Sequence, residues 1–434
     1  MLKQLEQKIL NKKAKIGVIG LGYVGLPLAL TFAKGGFRVY GIDIAKDRVA
    51  RLKACRPYIL DVSSSEIKEA LTSGRLTVTT DFSLIKVLDA VIICVPTPLY
   101  KTKEPDVSYI VAAVEKIKTY MKRGQIVVLE STTYPGTTEE VMLPVLESGG
   151  LKEGRDFYLA FSPERIDPSN PKYHTKNTPK IIGGISKRST EIAKLLYEQV
   201  IDMVVPVSSA KVAEMVKLLE NTFRIVNIGM VNEIMLMCDR LGINVWEVIE
   251  AAKTKPYGFM PFYPGPGVGG HCIPIDPIYL SWKARMYGFE ARFIDLASYV
   301  NSEMPQYVVN KIIEGLNGHK KPLRSSKILI LGVAYKKDVK DLRESPALDI
   351  IELLVKKGAI VSYHDPYLPY LKIGGINLKG VGFNRDSFAG SDCVVIVTDH
   401  SNIDYGFIAK NSKLIVDTRN ALKDMRDKSN IVRL

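Results

Sequence analysis

Two series of short apolar runs alternating with helical patterns, one glycine-rich turn between a strand and a helix, and one long unbroken helical segment predict an α/β protein. The expected architecture is two Rossmann-like doubly wound domains joined by a long central helix and a helical dimerisation region. The first series begins with Lys15 to Ile19, which stops at Gly20, and Phe37 to Ile42, with a helical pattern between them. That is a βαβ unit. Ala90–Val95, Ile126–Glu130 and Tyr158–Phe161 continue it. Strands of a parallel sheet covered on both faces read as continuous apolar runs, as these do.

From Ser209 to Leu241 the chain has no proline, one internal glycine and apolar residues on more than one face. The pattern predicts a single helix of about 45–50 Å; the alternative is two shorter helices broken near Gly229. A helix apolar nearly all round has to be covered, by the flanking domains and by a second subunit. After the polar stretch Asn317 to Lys327 the strand pattern restarts at Lys327–Val333, Ala359–Tyr363, Cys393–Val397 and Leu414–Asp417. The turn after the first of these, Gly332-Val-Ala-Tyr, lacks phosphate-loop glycines, so this domain need not hold a dinucleotide. The boundaries expected are 1–208, 209–319 and 320–434.

Composition narrows the function. Apolar and charged fractions of 46% and 24% are those of a globular protein, and no stretch reaches the roughly 18 apolar residues of a membrane span. The amphipathic, charged start shows no secretory signal, so a cytoplasmic protein without a membrane partner is expected. Five cysteines without CxxC spacing and five histidines without ligand spacing speak against disulfides and metal. The net charge of +14 comes from dispersed lysines with no nucleic-acid motif, which fits an anionic small substrate better than a nucleic acid.

Gly20-Leu-Gly22-Tyr-Val-Gly25 follows a strand, opens a helix and is answered by Asp43 at the end of the next strand. This is the dinucleotide fingerprint in its required setting. Gly20 allows the tight turn, Gly22 the approach of a pyrophosphate and Gly25 the close packing of helix on strand. Asp43 suits a ribose diol and repels a 2′-phosphate, which points to NAD over NADP, with Lys46 and Arg48 nearby tempering the discrimination. Cys272 lies behind the glycine-rich turn Gly267-Val-Gly-Gly-His, with Asp276 four residues on. Its neighbours favour a nucleophile over a buried structural cysteine. Lys217, Asn221 and Arg224 fall on one helix face and could hold an anionic or oxyanionic ligand, or form a solvated polar face. Glu130 to Pro135 and Phe161 to Arg165 follow strands at carboxyl ends, where open α/β sheets bind ligands; the alternative for either is an ordinary turn.

The segments GLGYVGLP, VPTP, ESTTYPGT, FSPERI, KLLENTFRIVNIGMVNEI, PGPGVGGHCIPIDP and AYKKDVKDLRESP together resemble the UDP-sugar 6-dehydrogenase family over essentially the whole chain. The resemblance implies an N-terminal NAD domain, a helical dimerising centre and a C-terminal UDP domain. It makes Cys272 the nucleophile, Lys217 and Asn221 oxyanion stabilisers, Asp276 a carboxylate linked to base chemistry through water, Glu164 the activator of hydrolytic water and Thr133 its positioner. Gly20, Gly22, Tyr23, Val24, Gly25, Asp43, Arg48, Thr97, Thr133 and Arg343 match NAD contacts. Arg165, Lys217, Asn221, Tyr263, Gly267 and Lys336 match UDP-sugar contacts, with Arg224 the further candidate from the helix face.

Where glucose-specific members of the family carry serine-cysteine-phenylalanine-proline-lysine, this chain has His271-Cys272-Ile273-Pro274-Ile275, the form of the N-acetylhexosamine branch. The substrate expected is UDP-N-acetylglucosamine first and its mannosamine epimer second, turned over by a homodimer in polysaccharide biosynthesis. A two-electron hydroxyacid dehydrogenase, which needs no Cys272, and a non-catalytic nucleotide sensor are the rival readings. The role of Asp43 predicts a higher kcat/KM with NAD⁺ than with NADP⁺ and weaker NAD⁺ binding in Asp43→Ala. Equal kcat/KM for the two cofactors, or unchanged affinity in the variant, refutes it.

Overall fold

Alternate residues along each central strand enter different apolar cores. The computed structural model of the protein describes residues 2–434 apart from 60, 61, 101, 103, 167–169, 171, 271, 272 and 426–428. In it Ala90 and Ile92 join one core while Val91 and Ile93 join the other, and Ile126 and Val128 are likewise separated from Val127 and Leu129. Burial on both faces is why these segments are apolar without alternation.

The strands of the first sheet are β1 (Lys15–Ile19), β2 (Arg38–Ile42), β3 (Leu76–Thr79), β4 (Ala90–Ile93), β5 (Gln125–Leu129), β6 (Phe157–Phe161), β7 (Lys180–Gly184) and β8 (Val204–Pro206). Among the described residues their order is β3-β2-β1-β4-β5-β6-β7-β8. The six from β3 to β6 are parallel in the order of a dinucleotide-binding sheet. β7 then runs antiparallel to β6.

The second sheet contains β9 (Lys327–Leu331), β10 (Ile360–His364), β13 (Cys393–Ile396), β14 (Ile415–Asp417) and β15 (Ile431–Arg433), with a hairpin of β11 (Tyr370–Ile373) and β12 (Ile376–Lys379) following β10. The sheet order is β10-β9-β13-β14-β15, all parallel, which is the 2-1-3-4-5 order of the other common doubly wound sheet. It too separates alternate residues, Ile328 and Ile330 from Leu329 and Leu331. The fold class read from the sequence is therefore the one present. β3, β8, β15 and the hairpin have three or four residues each and too little apolar length to stand out.

Ala210–Leu241 is one helix of 32 residues. Gly229 does not break it. A Cβ there would lie 3.0 Å from the Ala297 Cα, so the glycine lets the helix Arg292–Gly318 approach closely. The chain divides into two compact units, Met1–Glu220 with Trp282–Phe289, and Asn221–Ser281 with Glu290–Leu434, and the division falls within this helix. Among the described residues no helix is long and apolar enough to cross a membrane.

The first turns of the two sheets share a geometry. Gly20 and Gly332 have φ of +89° and +78°, and a Cβ on either would meet a strand-end carbonyl, Cys94 at 2.5 Å or Thr398 at 2.4 Å. In the second sheet Asp365 closes the turn, accepting from the backbone N–H of Val333 (2.8 Å), Ala334 (3.0 Å) and Tyr367 (2.9 Å). His400 Nδ1 accepts from the Asp338 N–H, which leaves Nε2 to donate to Asp365 at 3.1 Å.

Burial raises the Asp365 carboxyl, but the bonds from His400, Tyr367 and Ala334 outweigh it and hold it below the ordinary value. Its stabilisation is therefore present above the ordinary carboxylate pKa of about 3.9 and lost as pH falls through the folded value. Asp365→Ala strands several donors and is expected to cost about 3 kcal/mol at pH 7. Urea unfolding should show that the gap between variant and wild type shrinks at pH 3.

Candidate active site

The turn after β1 is shaped by backbone crowding. A Cβ on Gly25 would lie 1.8 Å from the Gly20 carbonyl oxygen, so only glycine lets the helix Gly25–Lys34 start against the turn. Gly22 faces the other way, and a Cβ there would meet no protein atom within 4 Å. This is a cradle that a pyrophosphate fits, with a helix N-terminus behind it. Val24 is the residue before that helix and Tyr23 is exposed.

Asp43 is buried and accepts from the Leu21 N–H at 2.8 Å, the Ala45 N–H at 2.9 Å and Arg48 at 2.8 Å. Tyr58, which the sequence reading did not single out, donates to the Leu21 carbonyl at 2.6 Å and stacks against Arg48 and Arg51. Thr97 is buried just beyond β4.

Also in the first unit, Thr133 is buried and its hydroxyl pairs with that of Thr137 at 2.7 Å. Thr137 in turn donates to the Tyr134 carbonyl, so the Thr133 proton is the one shared between the two. Glu214 anchors the loop beyond, accepting from the Gly136 N–H at 2.5 Å, the Thr138 N–H at 2.9 Å and the Thr138 hydroxyl at 2.7 Å. Burial pushes its carboxyl up to about 7 against these bonds.

Glu164 spends Oε1 on the N–H groups of Arg165 and Ile166, at 2.7 and 2.8 Å, and Oε2 on Lys180 at 3.3 Å. Arg165 donates to the Pro179 carbonyl and pairs with Glu220 at 2.6 Å. Lys217 is 9% exposed, yet no hydrogen bond or ion pair reaches it among the described residues. A buried ammonium without a partner calls for an anion.

In the second unit Asn221 donates through Nδ2 to Asp276 Oδ2, and both residues are buried. The glycine turn before Cys272 is pressed against the segment 335–346. A Cβ on Gly269 would meet the Glu344 carbonyl at 2.7 Å, one on Gly270 the Tyr335 ring at 2.8 Å, and one on Gly267 Pro346 at 3.1 Å. The Gly270 N–H donates to the Arg343 carbonyl at 3.0 Å. Cys272 itself lies outside the described residues. Tyr263 stacks on Trp246 and donates to Glu250 at 2.8 Å. Arg343 pairs with Asp341 at 2.7 Å, Lys336 is half-buried, and Arg224 is exposed although its helix neighbours Lys217 and Asn221 are not.

A glycine cradle closed by an acidic residue on a 3-2-1-4-5-6 sheet, with a second doubly wound sheet in the same chain, defines an NAD-dependent dehydrogenase of two α/β domains. Family models for the UDP-glucose/GDP-mannose dehydrogenases match throughout: the NAD binding domain at residues 14–201, the central domain at 211–303 and the UDP binding domain at 329–424. The chain belongs to that family and is an NAD-dependent UDP-sugar dehydrogenase.

It is 37% identical to the UDP-N-acetyl-D-mannosamine dehydrogenase of Methanococcus maripaludis, over 94% of this chain and 93% of that one. It is 38% identical to a UDP-N-acetyl-D-glucosamine 6-dehydrogenase of Pseudomonas aeruginosa, over 82% and 84%. The structure of a UDP-D-ManNAc dehydrogenase from Pyrococcus horikoshii superposes with a TM-score of 0.88 at 36% identity, covering 96% of this chain and 98% of that one.

The second and third glycines of the cradle separate folding from binding. Gly25→Ala is expected to destabilise the protein by about 3 kcal/mol through overpacking. Gly22→Ala, with no atom to strike, should keep the wild-type melting temperature and weaken NAD⁺ binding at least about tenfold, as read by calorimetry. A Gly22→Ala protein with wild-type affinity contradicts the cradle.

Proposed function

We propose that this protein oxidises the C6 hydroxymethyl of a UDP-N-acetylhexosamine to the carboxylate in two successive oxidations. UDP-N-acetylglucosamine is the first candidate and UDP-N-acetylmannosamine the second. The observation that carries the reading is the buried Asn221–Asp276 hydrogen bond, which ties the residue four positions beyond Cys272 to the helix that also bears Lys217. The histidine-cysteine form of the glycine turn supports the hexosamine, and relatives named for both epimers support the substrate class.

NAD, held by Gly20, Gly22, Gly25 and Asp43 with Tyr23, Val24, Arg48, Thr97, Thr133 and Arg343 as further contacts, supplies the hydride acceptor for each oxidation. The residues do the rest. A second hydride can leave an aldehyde carbon only after a nucleophile has added to it, and the Cys272 thiolate makes that addition to give a thiohemiacetal. Lys217 and Asn221 stabilise the oxyanions that form, an effect worth about 3–4 kcal/mol per donor.

Once the thiohemiacetal has become a thioester, water adds to its carbonyl carbon with Glu164 or Asp276 taking the proton, and Cys272 leaves as the thiolate. Arg165, Arg224, Tyr263, Gly267 and Lys336 contribute to UDP-sugar binding. The domains divide the work accordingly: 1–208 for NAD, 209–319 for the catalytic cysteine and dimer contact, and 320–434 for UDP. Leu219, Phe223, Met230 and Met237, exposed on the long helix, support a homodimer. The product, an anionic nucleotide sugar made in the cytoplasm, suits a polysaccharide-building glycosyltransferase.

Wild type incubated with NAD⁺ and a panel of UDP-sugars should form two NADH per hexosamine and prefer it to UDP-glucose. Cys272→Ala should bind NAD⁺ and remain folded but lose the second oxidation, and Cys272→Ser should trap a slowly hydrolysed ester visible by mass spectrometry. Full two-NADH turnover in the alanine variant would refute the covalent route. One NADH per sugar in wild type would favour a two-electron dehydrogenase, binding without turnover a sensor, and mannosamine-only activity the second candidate.

A further inference from the structure

Lys180 opens β7, the strand that runs against its neighbour. The β6–β7 register pairs Ala160 with Gly184 and Phe161 with Gly183. Continued three residues further, the same register sets Glu164 opposite Lys180. In a parallel sheet the ligand edge is formed by residues that come directly after the strands. A reversed strand instead presents its first residue at that edge, and here that residue is a lysine.

Its surroundings form a closed set. Lys180 donates to Glu130 Oε1 and to Glu164 Oε2, while Tyr197, at the end of the helix Lys187–Tyr197, donates to Glu130 Oε2 at 2.5 Å. The Tyr197 ring also lies 5.6 Å from the ammonium. Side-chain exposure falls inward, from 12% at Glu164 through 5% at Lys180 to 0% at Glu130.

We infer that Lys180, itself fixed by Glu130 and Tyr197, is a positioning residue that holds Glu164 in place and ionised for the hydrolytic step. With Oε1 bound to two backbone N–H groups and Oε2 to Lys180, the Glu164 carboxylate has one orientation. The groups facing it are Lys180 from β7, Glu130 from the end of β5, Tyr197 from its helix, Cys94 from the end of β4 and the backbone of Arg165, whose guanidinium is turned to Glu220.

Burial raises the Glu164 carboxyl, but the charge of Lys180 and the Ile166 N–H outweigh it and hold it below the ordinary value. Burial works against the Lys180 ammonium, but the charges of Glu130 and Glu164 outweigh it and raise its pKa. Burial raises the Glu130 carboxyl against the opposing charge of Lys180. In hydrolysis a C–O bond forms between water and the thioester carbon, the C–S bond breaks, the water proton passes to Glu164 and Cys272 departs as thiolate. None of this requires Lys180 to touch the sugar.

The inference rests on the hydrolytic role proposed for Glu164, and one experiment separates the two. Wild type, Glu164→Gln, Lys180→Arg and the double variant Lys180→Met with Glu130→Gln, which removes the cation and one carboxylate together, are followed with UDP-N-acetylglucosamine and NAD⁺ from pH 5 to 9. Turnover, NAD⁺ affinity and the thioester at Cys272, trapped in acid and weighed intact, are recorded.

The double variant should keep its NAD⁺ affinity, accumulate the acyl-enzyme, and show the acid limb of kcat displaced upward by about one pH unit or more. Lys180→Arg should restore the wild-type limb. Glu164→Gln should slow hydrolysis by about a hundredfold or more. If it does and the double variant nonetheless has the wild-type pH profile and no trapped thioester, the role of Lys180 is overturned. Full hydrolysis in Glu164→Gln overturns the underlying reading, and the inference with it.

Discussion

The structure depends on a contact that allows no side chain at all. Gly25 comes so close to the Gly20 carbonyl that a single added carbon would overlap it. Only this approach lets the helix Gly25–Lys34 begin at the turn, with its unsatisfied N–H groups facing the place where Gly22 leaves the backbone open. Asp43 then secures the turn from the neighbouring strand by accepting the Leu21 N–H. A cradle that a pyrophosphate fits is thus a by-product of how tightly a helix and a strand can be joined.

The second sheet applies the same joint to a different end. Gly332 has the left-handed conformation of Gly20 and meets a carbonyl in the same manner, and Asp365 stands where Asp43 stands, at the end of the neighbouring strand. The two carboxylates differ in their partners. Asp365 is taken up by three backbone donors and the imidazole of His400, whereas Asp43 has, among the described residues, Leu21, Ala45 and the half-exposed Arg48. A carboxylate saturated by its own chain serves architecture, and one partly held by a half-exposed arginine can exchange that partner for a ribose hydroxyl.

What could be read from the sequence was what local pattern encodes. Lys15–Ile19 and Cys393–Ile396 are legible because burial on two faces leaves no polar position in them after Lys15, and Gly20, Gly22 and Gly25 because their spacing is fixed by the turn. The helix through Gly229 was legible from its unbroken periodicity, while the purpose of that glycine was not, since Ala297 lies far along the chain. Glu164 stands in a recognisable motif, yet its partner Lys180 opens a strand that reads as any polar residue before an apolar run, and only the reversal of β7 makes it a partner. Lys217, Asn221 and Arg224 share an angular position on their helix, but periodicity does not say how far along the rod the cover extends, and Arg224 is outside it.

The division of the chain within the long helix has a bearing on how such a protein can change. The glycine cradle and Glu164 with Lys180 and Glu130 belong to one compact unit, while Asn221, Asp276, Tyr263 and the glycine turn before Cys272 belong to the other. Substitutions at sites that share no contacts contribute nearly independently to stability, so a change inside one unit's own core need not disturb the core of the other. A lineage can therefore let one unit drift while the other is inherited intact, and the drifting unit need only keep the helix that passes through both.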